Sequence, residues 1–420
     1  MTGDSKVRVA YFAEIFPSTS ETWVNHEIAA LLQRGHAVRV FATHPRPSAI
    51  PAEFADLVSV TTYLPEMPRS YLLSVGNVLR PSLLIPVLTG LLSDASSFRL
   101  KAQVLRDAIY AGRLKASVAA FKPGLLYAHF AATRCSVAMF ISFLSGVPFA
   151  FKMHANDVFV RVALFRQKMA KAAAVLSISD YNVQYIRTNY PDVDSTRIEK
   201  HTCGIPLSRY QLGTMKGSGS VPLIVSVGRL VPMKGLRFLV EASRRLLDRG
   251  FNHQVVIFGD GPQRSALMEL AKNLRVGEAV KFAGYASPAE VQAALSRATA
   301  FALPAIWDPV GHTQDGIPVA IMEAMAVGVP VVSTTISGIP ELIENGKSGF
   351  LVPPGDSAAL ATAIAGICSL DPAEREQLVR EARRRIEESH DGDVLADSFI
   401  EIVRRCDRSS PETDGGSRSR

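Results

Sequence analysis

Short apolar runs recur along the chain, separated by stretches in which apolar residues return every three or four positions. Val7–Phe12 is one such run; it ends at a Pro/Ser/Thr loop and predicts a strand. A helix is predicted over Glu21–Arg34, stopped by Gly35, and a second strand over Ala37–Ala42. This is a β-α-β opening, the unit from which parallel α/β sheets are built. Gly124–Ala128, Phe149–Lys152 and Ala174–Ser179 predict further strands. A second series has strands at Leu223–Val227, Gln254–Phe258, Val280–Phe282, Thr299–Leu303 and Val329–Ser333, with helical patterns between them. Residues 211–221, rich in Gly and Ser, have linker composition. Two alternating strand–helix series predict two Rossmann-like α/β domains, residues 1–210 and 222–391, facing across a cleft.

Residues 45–123 are less regular. Tyr71–Leu92 is strongly apolar, but Arg80, Pro81 and Pro86 interrupt it. A transmembrane helix needs about 20 mostly apolar residues without such breaks, so a buried or interfacial helical hairpin is expected instead. An amphipathic helix is predicted near Asp393–Arg405. Residues 407–420, rich in Ser, Gly and charge, have the composition of a disordered tail.

Composition narrows the class. With 420 residues, 47% apolar and 20% charged, the chain can bury a large core. Cys135, Cys203, Cys368 and Cys406 are far apart, form no C-x-x-C pair and read as free thiols. The N-terminus runs from Met1 to a strand with no signal-peptide pattern, so a cytoplasmic location is expected. Residues 1–210 hold 23 Lys/Arg against 14 Asp/Glu, whereas the remainder is slightly acidic. A basic front half suits an anionic membrane or a solvated basic surface equally.

The most informative stretch is Asp315-Gly-Ile-Pro-Val-Ala-Ile-Met-Glu323-Ala-Met-Ala-Val-Gly-Val-Pro330. Pro318 suits the first position of a helix, Gly328 the position just past its end, and Pro330 forbids continuation. Asp315 and Glu323, eight residues apart, span about 12 Å at a helical rise of ~1.5 Å per residue. That is too far for the roughly 5–5.5 Å carboxylate pair of a retaining glycosidase, and it suits the two ends of an extended ligand. Asp315 is also a residue type that caps helices.

This segment resembles the signature of the family-4 retaining glycosyltransferases of GT-B fold. Phe16-Pro-Ser-Thr-Ser-Glu-Thr-Trp-Val24 resembles the first loop and helix of their exopolysaccharide and colanic-acid branch. Val225-Ser-Val-Gly-Arg229-Leu-Val-Pro-Met-Lys234-Gly235 resembles the phosphate-clamping turn. Ser337-Gly-Ile-Pro-Glu341 and Gly346-Lys-Ser-Gly-Phe-Leu-Val352 resemble the strand and loop that close the donor domain. Many members carry Glu where this chain has Asp315, one methylene shorter. The resemblance implies that the helix at about 392–406 crosses back to the first domain.

It also implies roles for individual residues. Arg229 and Lys234, after Gly228, would stabilise the charge of a departing nucleoside diphosphate, Arg as a planar fork and Lys as a point charge. Glu323 would hold the donor's ribose hydroxyls and Asp315 the transferred sugar. Gly316, Ile317, Pro318 and Val319 open the helix, where N–H groups other than proline's can meet phosphate oxygens. Gly259 and Gly261 would line the nucleotide pocket, being a weak dinucleotide fingerprint without a third glycine; Tyr285 would pass near the base. His154 would sit beside sugar and phosphate. His129, and Ser20, Glu21 and Thr22 at the first helix, are acceptor-side candidates, the latter three equally a capping cluster. Asp192-Val-Asp194 reads as a surface loop rather than a metal motif.

The function expected is a metal-independent, retaining transfer of a hexose from a nucleoside-diphosphate sugar to a saccharide acceptor, lipid-linked by this reading, for exopolysaccharide or surface glycan. No cofactor, metal or nucleic-acid partner is expected, and an anionic membrane surface is a possible partner. Alternatives are a soluble small-molecule acceptor or a catalytically inactive nucleotide- or glycan-binding protein.

Overall fold

The computed structural model describes residues 6–48, 50–64, 76–77, 79–93, 98–213 and 221–408. The chain forms two compact units. Unit 1 comprises residues 1–177, 183–201 and 396–420; unit 2 comprises 178–182 and 202–395. The division thus falls at Thr202, ahead of the Gly/Ser stretch; residues 214–220 of that stretch lie outside the described residues, as do 409–420 of the tail. Residues 407 and 408 are helical, so the last helix runs further than its sequence pattern suggests.

Unit 1 is built on a seven-stranded parallel sheet, ordered β3-β2-β1-β4-β5-β6-β7. The strands are β1 (Arg8–Ala13), β2 (Ala37–Ala42), β3 (Thr61–Tyr63), β4 (Leu125–His129), β5 (Phe149–Met153), β6 (Ala174–Ser177) and β7 (Ile198–Lys200). Every residue of β4, β5 and β6 is buried. Helices on both faces of a parallel sheet remove the alternation an exposed face would impose, which is why these strands read as continuous apolar runs. The helix Thr22–Gln33 covers one face through Val24, Ile28 and Leu31. The helices Phe98–Phe121 and Thr133–Ser145 cover the other through Val104, Ala108, Val137 and Phe140.

Unit 2 is a six-stranded parallel sheet, ordered β10-β9-β8-β11-β12-β13. Its strands are β8 (Leu223–Val227), β9 (Gln254–Phe258), β10 (Val280–Gly284), β11 (Ala300–Leu303), β12 (Val331–Thr334) and β13 (Phe350–Val352). Residues 178–182 belong here because the Glu341 carboxylate accepts from the N–H groups of Asp180 (2.9 Å) and Tyr181 (2.8 Å).

In each sheet the order reverses once, between β1 and β4 in unit 1 and between β8 and β11 in unit 2. The crevice beyond the carboxyl ends of strands at such a reversal is where open α/β sheets take ligands. Most of the C-terminal helix, Gly392–Arg408, packs on unit 1: Phe399, Ile400 and Val403 join its core, and the Phe399 ring lies 4.5 Å from that of Tyr127 on β4.

The expected hairpin at Tyr71–Leu92 is corrected in part. Residues 71–75 lie outside the described residues; Pro81–Ser93 is one helix with Pro86 inside it. Among the described residues no helix is long and apolar enough to cross a membrane.

Candidate functional site

In unit 2 the loops after β8, β9 and β11 are laced together at the point of reversal. Gly228 N–H donates to Phe258 O (3.0 Å), Leu230 N–H to Asp260 O (2.9 Å) and Ile306 N–H to Met233 O (2.9 Å). The backbones approach too closely for side chains. Gly259 has φ +124°, and a Cβ there would collide with the Gly228 carbonyl oxygen; Gly235 has φ +64°, and a Cβ there would collide with that of Pro304. The glycines of the sequence block therefore serve close loop packing, with Gly261 set against Leu230 in the same way.

Lys234 ends the short turn Pro232–Lys234 and folds back over Gly228. Its ammonium meets the Asp315 carboxylate at 2.5 Å, with both side chains mostly buried. This corrects one expectation: Asp315 is not on a helix. The helix is Val319–Val327, with Pro318 at its N-cap position rather than inside it, and Asp315 neither caps it nor shares its axis with Glu323. The 12 Å helical spacing therefore does not apply. Gly316, Ile317 and Pro318 are buried beneath the helix start. Arg229 is exposed, and Tyr285, just past β10, is 68% exposed.

Glu323 lies on the helix and accepts from the Tyr210 hydroxyl (2.9 Å). Burial pushes its carboxyl up to about 7, which the Tyr210 hydrogen bond only partly opposes. Glu323 is thus poised between acid and carboxylate near neutral pH.

In unit 1 the end of β4 and the loop after β5 carry His129 and His154. His129 Nδ1 lies 3.0 Å from His154 Nε2, and His129 Nε2 lies 3.0 Å from Glu27 Oε1. Glu27 also accepts from the Tyr11 hydroxyl (2.9 Å) and the Lys152 ammonium (3.2 Å). Burial opposes the charge on Glu27, but Lys152 and His129 outweigh it and hold the carboxyl well below its usual range. Burial lowers both histidines, His154 strongly with help from His129 and Lys152. An ionised carboxylate only accepts, so neutral His129 donates from Nε2 and accepts at Nδ1, and His154 Nε2 is the donor between the rings. Asp157 completes the turn, accepting from the N–H groups of Ala131 (2.7 Å) and His154 (3.0 Å).

The acceptor-side candidates have partners within unit 1. Both ring nitrogens of His129 already face partners within the protein. Glu21 occupies the N-cap position but makes no cap; it forms a two-point pair with Arg134 (2.8 and 3.0 Å). Ser18 organises the turn instead, its hydroxyl accepting from the N–H groups of Ser20 (3.3 Å) and Glu21 (3.1 Å). Thr22 begins the helix. A small cleft opens beside this turn, lined by Tyr11, Phe16, Ser18, Glu21, His129 and Arg134 among others. Asp192 pairs with Arg166 (2.5 Å) and Asp194 caps the turn Ser195–Arg197, as a surface loop would.

A sequence profile described as Glycosyl transferases group 1 matches residues 217–385, inside unit 2. The chain is 30% identical over 392 residues to a putative colanic acid biosynthesis glycosyltransferase, WcaL, of Salmonella typhimurium, covering 90% of this chain and 95% of that one. The chain belongs to the group 1 glycosyl transferases. This glycosyltransferase is also 28% identical over 422 residues to the amylovoran biosynthesis glycosyltransferase AmsK of Erwinia amylovora, covering 95% and 100% of the two chains. Among solved structures it is similar in fold to HepE of Anabaena in complex with UDP, with TM-score 0.71, 16% identity and 95% and 100% coverage. It is similar likewise to a sucrose-phosphate synthase of Thermosynechococcus elongatus, with TM-score 0.73, 19% identity and 95% and 98% coverage. The fold is GT-B.

Four residues of the glycosyltransferase escaped the sequence reading. Glu27 and Lys152 hold the histidine pair, Tyr210 holds Glu323, and Lys168 is fully buried with its ammonium donating to the carbonyls of Ala131 (2.6 Å), Ala163 (2.7 Å) and Ala132 (3.2 Å). Glu27 had one available signal: it is the acidic residue on a helix whose neighbours at i−3 and i+1, Val24 and Ile28, are buried.

Proposed function

We propose that this glycosyltransferase transfers a hexose from a nucleoside-diphosphate sugar with retention and without a metal ion or other cofactor. The acceptor in this reading is a lipid-linked saccharide growing into an exopolysaccharide or surface glycan at the cytoplasmic face of a membrane. The observation that carries the reading is the Lys234–Asp315 pair, held over Gly228 at the carboxyl end of β8 where the strand order reverses. Lys234 brings a positive charge and Asp315 acceptor oxygens to one spot. The first suits a diphosphate and the second the hydroxyls of the sugar attached to it. Arg229 is an exposed second cation on the same loop. Glu323, on the helix that follows Asp315, suits two adjacent ribose hydroxyls.

His154 positions the sugar of the donor, in a ring orientation fixed by His129 and Phe130, whose ring stacks on it at 4.3 Å. The leaving diphosphate accepts the acceptor's hydroxyl proton on the face it departs from. The protein's part is then positioning and stabilisation of the developing phosphate charge. Printed names of similar proteins, colanic acid and amylovoran biosynthesis enzymes, support the exopolysaccharide assignment.

A panel of radiolabelled UDP-, GDP- and ADP-sugars, scored for slow hydrolysis, tests the reading. One donor should release free sugar with the anomeric configuration of the donor. Binding without hydrolysis of any donor would point to an inactive binding protein and overturn it.

A further inference from the structure

The helices Pro81–Ser93 and Phe98–Phe121 of unit 1 run antiparallel. Gly90 lies against Val104, and Arg80 lies close enough to Lys115 for its charge, after burial, to lower the Lys115 ammonium. On the inner side Leu83, Val87, Val104 and Leu114 join the core. The outer side is apolar as well. Ile85, Leu88 and Leu92 recur at i, i+3 and i+7, and Phe98, Leu105 and Ile109 at i, i+7 and i+11, so each helix presents one apolar stripe outward. Leu92 is 78% and Phe98 88% exposed, at the end where the two helices meet. A helix that faces water usually keeps such large apolar side chains off its outer face; these two carry them there, interleaved with polar residues such as Thr89 and Arg99.

The charges around the stripes are mostly positive. Between residues 79 and 122 the sequence has seven Lys/Arg and two acids, Asp94 and Asp107. Asp107 is buried and already meets Arg106 at 3.1 Å. An apolar wedge flanked by cations fits a plane of anionic headgroups over hydrocarbon. It fits a second copy of the same face poorly, since self-association would press like charges together.

We propose that this face of unit 1 docks on an anionic lipid surface, with Ile85, Leu88, Leu92 and Phe98 entering the interface and Arg80, Arg99, Lys101 and Lys115 meeting lipid phosphates. The proposal rests on the reading that the acceptor is lipid-linked, and it says which surface brings the enzyme to it.

The test is co-sedimentation of the full chain with vesicles of phosphatidylcholine alone or mixed with phosphatidylglycerol. Wild type should bind the mixed vesicles about tenfold more tightly or better, each cation contributing roughly fivefold and losing it in high salt. Ile85→Asp/Leu92→Asp and, separately, Phe98→Asp should weaken binding about tenfold or more, with melting temperatures unchanged because these side chains face outward. Arg99→Gln/Lys101→Gln should remove part of the salt-sensitive binding and leave the rest.

Wild-type binding by the charged variants, or no preference for the anionic vesicles, would overturn the proposal. So would a wild-type dimer that Ile85→Asp/Leu92→Asp splits, which would make the face a self-contact. A large drop in melting temperature for both apolar variants would mean that the face is covered by the chain itself, and would overturn it too. Donor hydrolysis is read in parallel without vesicles. If it fails in wild type the transfer reading falls on its own, and if it survives in variants that lose the vesicles the docking role stands apart from chemistry.

Discussion

Glu27 is the residue whose loss should be felt most. Its carboxylate is the only acid described within hydrogen-bonding distance of Lys152, which is 1% exposed, and it fixes His129 and Tyr11 as well. Glu27→Ala leaves a buried ammonium without its counter-charge, a change that costs about 3–5 kcal/mol. Against the roughly 5–15 kcal/mol that hold a domain together, this is a large share. Glu27→Gln keeps the shape and one acceptor oxygen but not the charge, and should cost about 1–3 kcal/mol. Lys152→Met in the Glu27→Gln background should recover much of that, because removing both halves of a buried pair is often neutral.

The chain has two tryptophans, Trp23 in unit 1 and Trp307 in unit 2, so in a Trp307→Phe background fluorescence reports unit 1 alone. Urea unfolding followed through Trp23 at pH 7.5 gives the differences. The same assay reads the histidines. The folded state holds His129 and His154 below their ordinary pKa, so their stabilisation is complete above about pH 6.5 and is lost as pH falls toward the folded values. The slope is at most ~1.4 kcal/mol per pH unit for each. A Glu27→Ala protein within about 1 kcal/mol of wild type, or a wild type as stable at pH 5 as at pH 7.5, would refute the network as drawn.

Lys234→Ala should lower turnover by about 10²-fold or more with little change in melting temperature, measured by initial rates on the active donor; a wild-type rate would remove Lys234 from the site. Saturating EDTA should leave the rate within about twofold if, as proposed, cations of the protein face the diphosphate; abolition with rescue by Mg²⁺ or Mn²⁺ would contradict this. Burial pushes the Asp107 carboxyl up to about 6, against the opposing pull of Arg106, so its contribution is full below about pH 3.8 and is lost as pH rises through 6. Asp107→Asn should therefore gain up to about 3 kcal/mol relative to wild type between pH 4 and pH 8, as read by urea midpoints at the two pH values; a constant difference would count against the assignment.

The central strands were legible because burial on both faces turns them into continuous apolar runs, and Gln254–Phe258, Leu223–Val227 and Ala37–Ala42 match to the residue. The short edge strands β3, Thr-Thr-Tyr, and β7, Ile-Glu-Lys, were missed, since an edge has one neighbour and little need of apolar side chains. Gly228 and Lys234 stood in one sequence block and Asp315 in another, and their mutual contact was not legible: eighty residues of chain separate Lys234 from Asp315, and the pairing of β8 with β11 brings their loops together. Glu27, Lys152 and Lys168 were illegible for a different reason. A buried charge and a solvated one look alike in sequence, and the carbonyls to which the Lys168 ammonium donates have no residue signature.

The way the chain is shared between the units bears on how such enzymes can be recombined. Residues 178–182 sort with one unit while their flanks sort with the other, and 396–408 return to the unit where the chain began. A gene fragment ended at the Gly/Ser stretch would encode unit 1 without Phe399, Ile400 and Val403, leaving Tyr127 uncovered. Joining this front half to a foreign back half would therefore set a foreign last helix against Tyr127. The portable cassette is internal, residues 202–395 set into a host that supplies both ends, and the host must keep its own last helix.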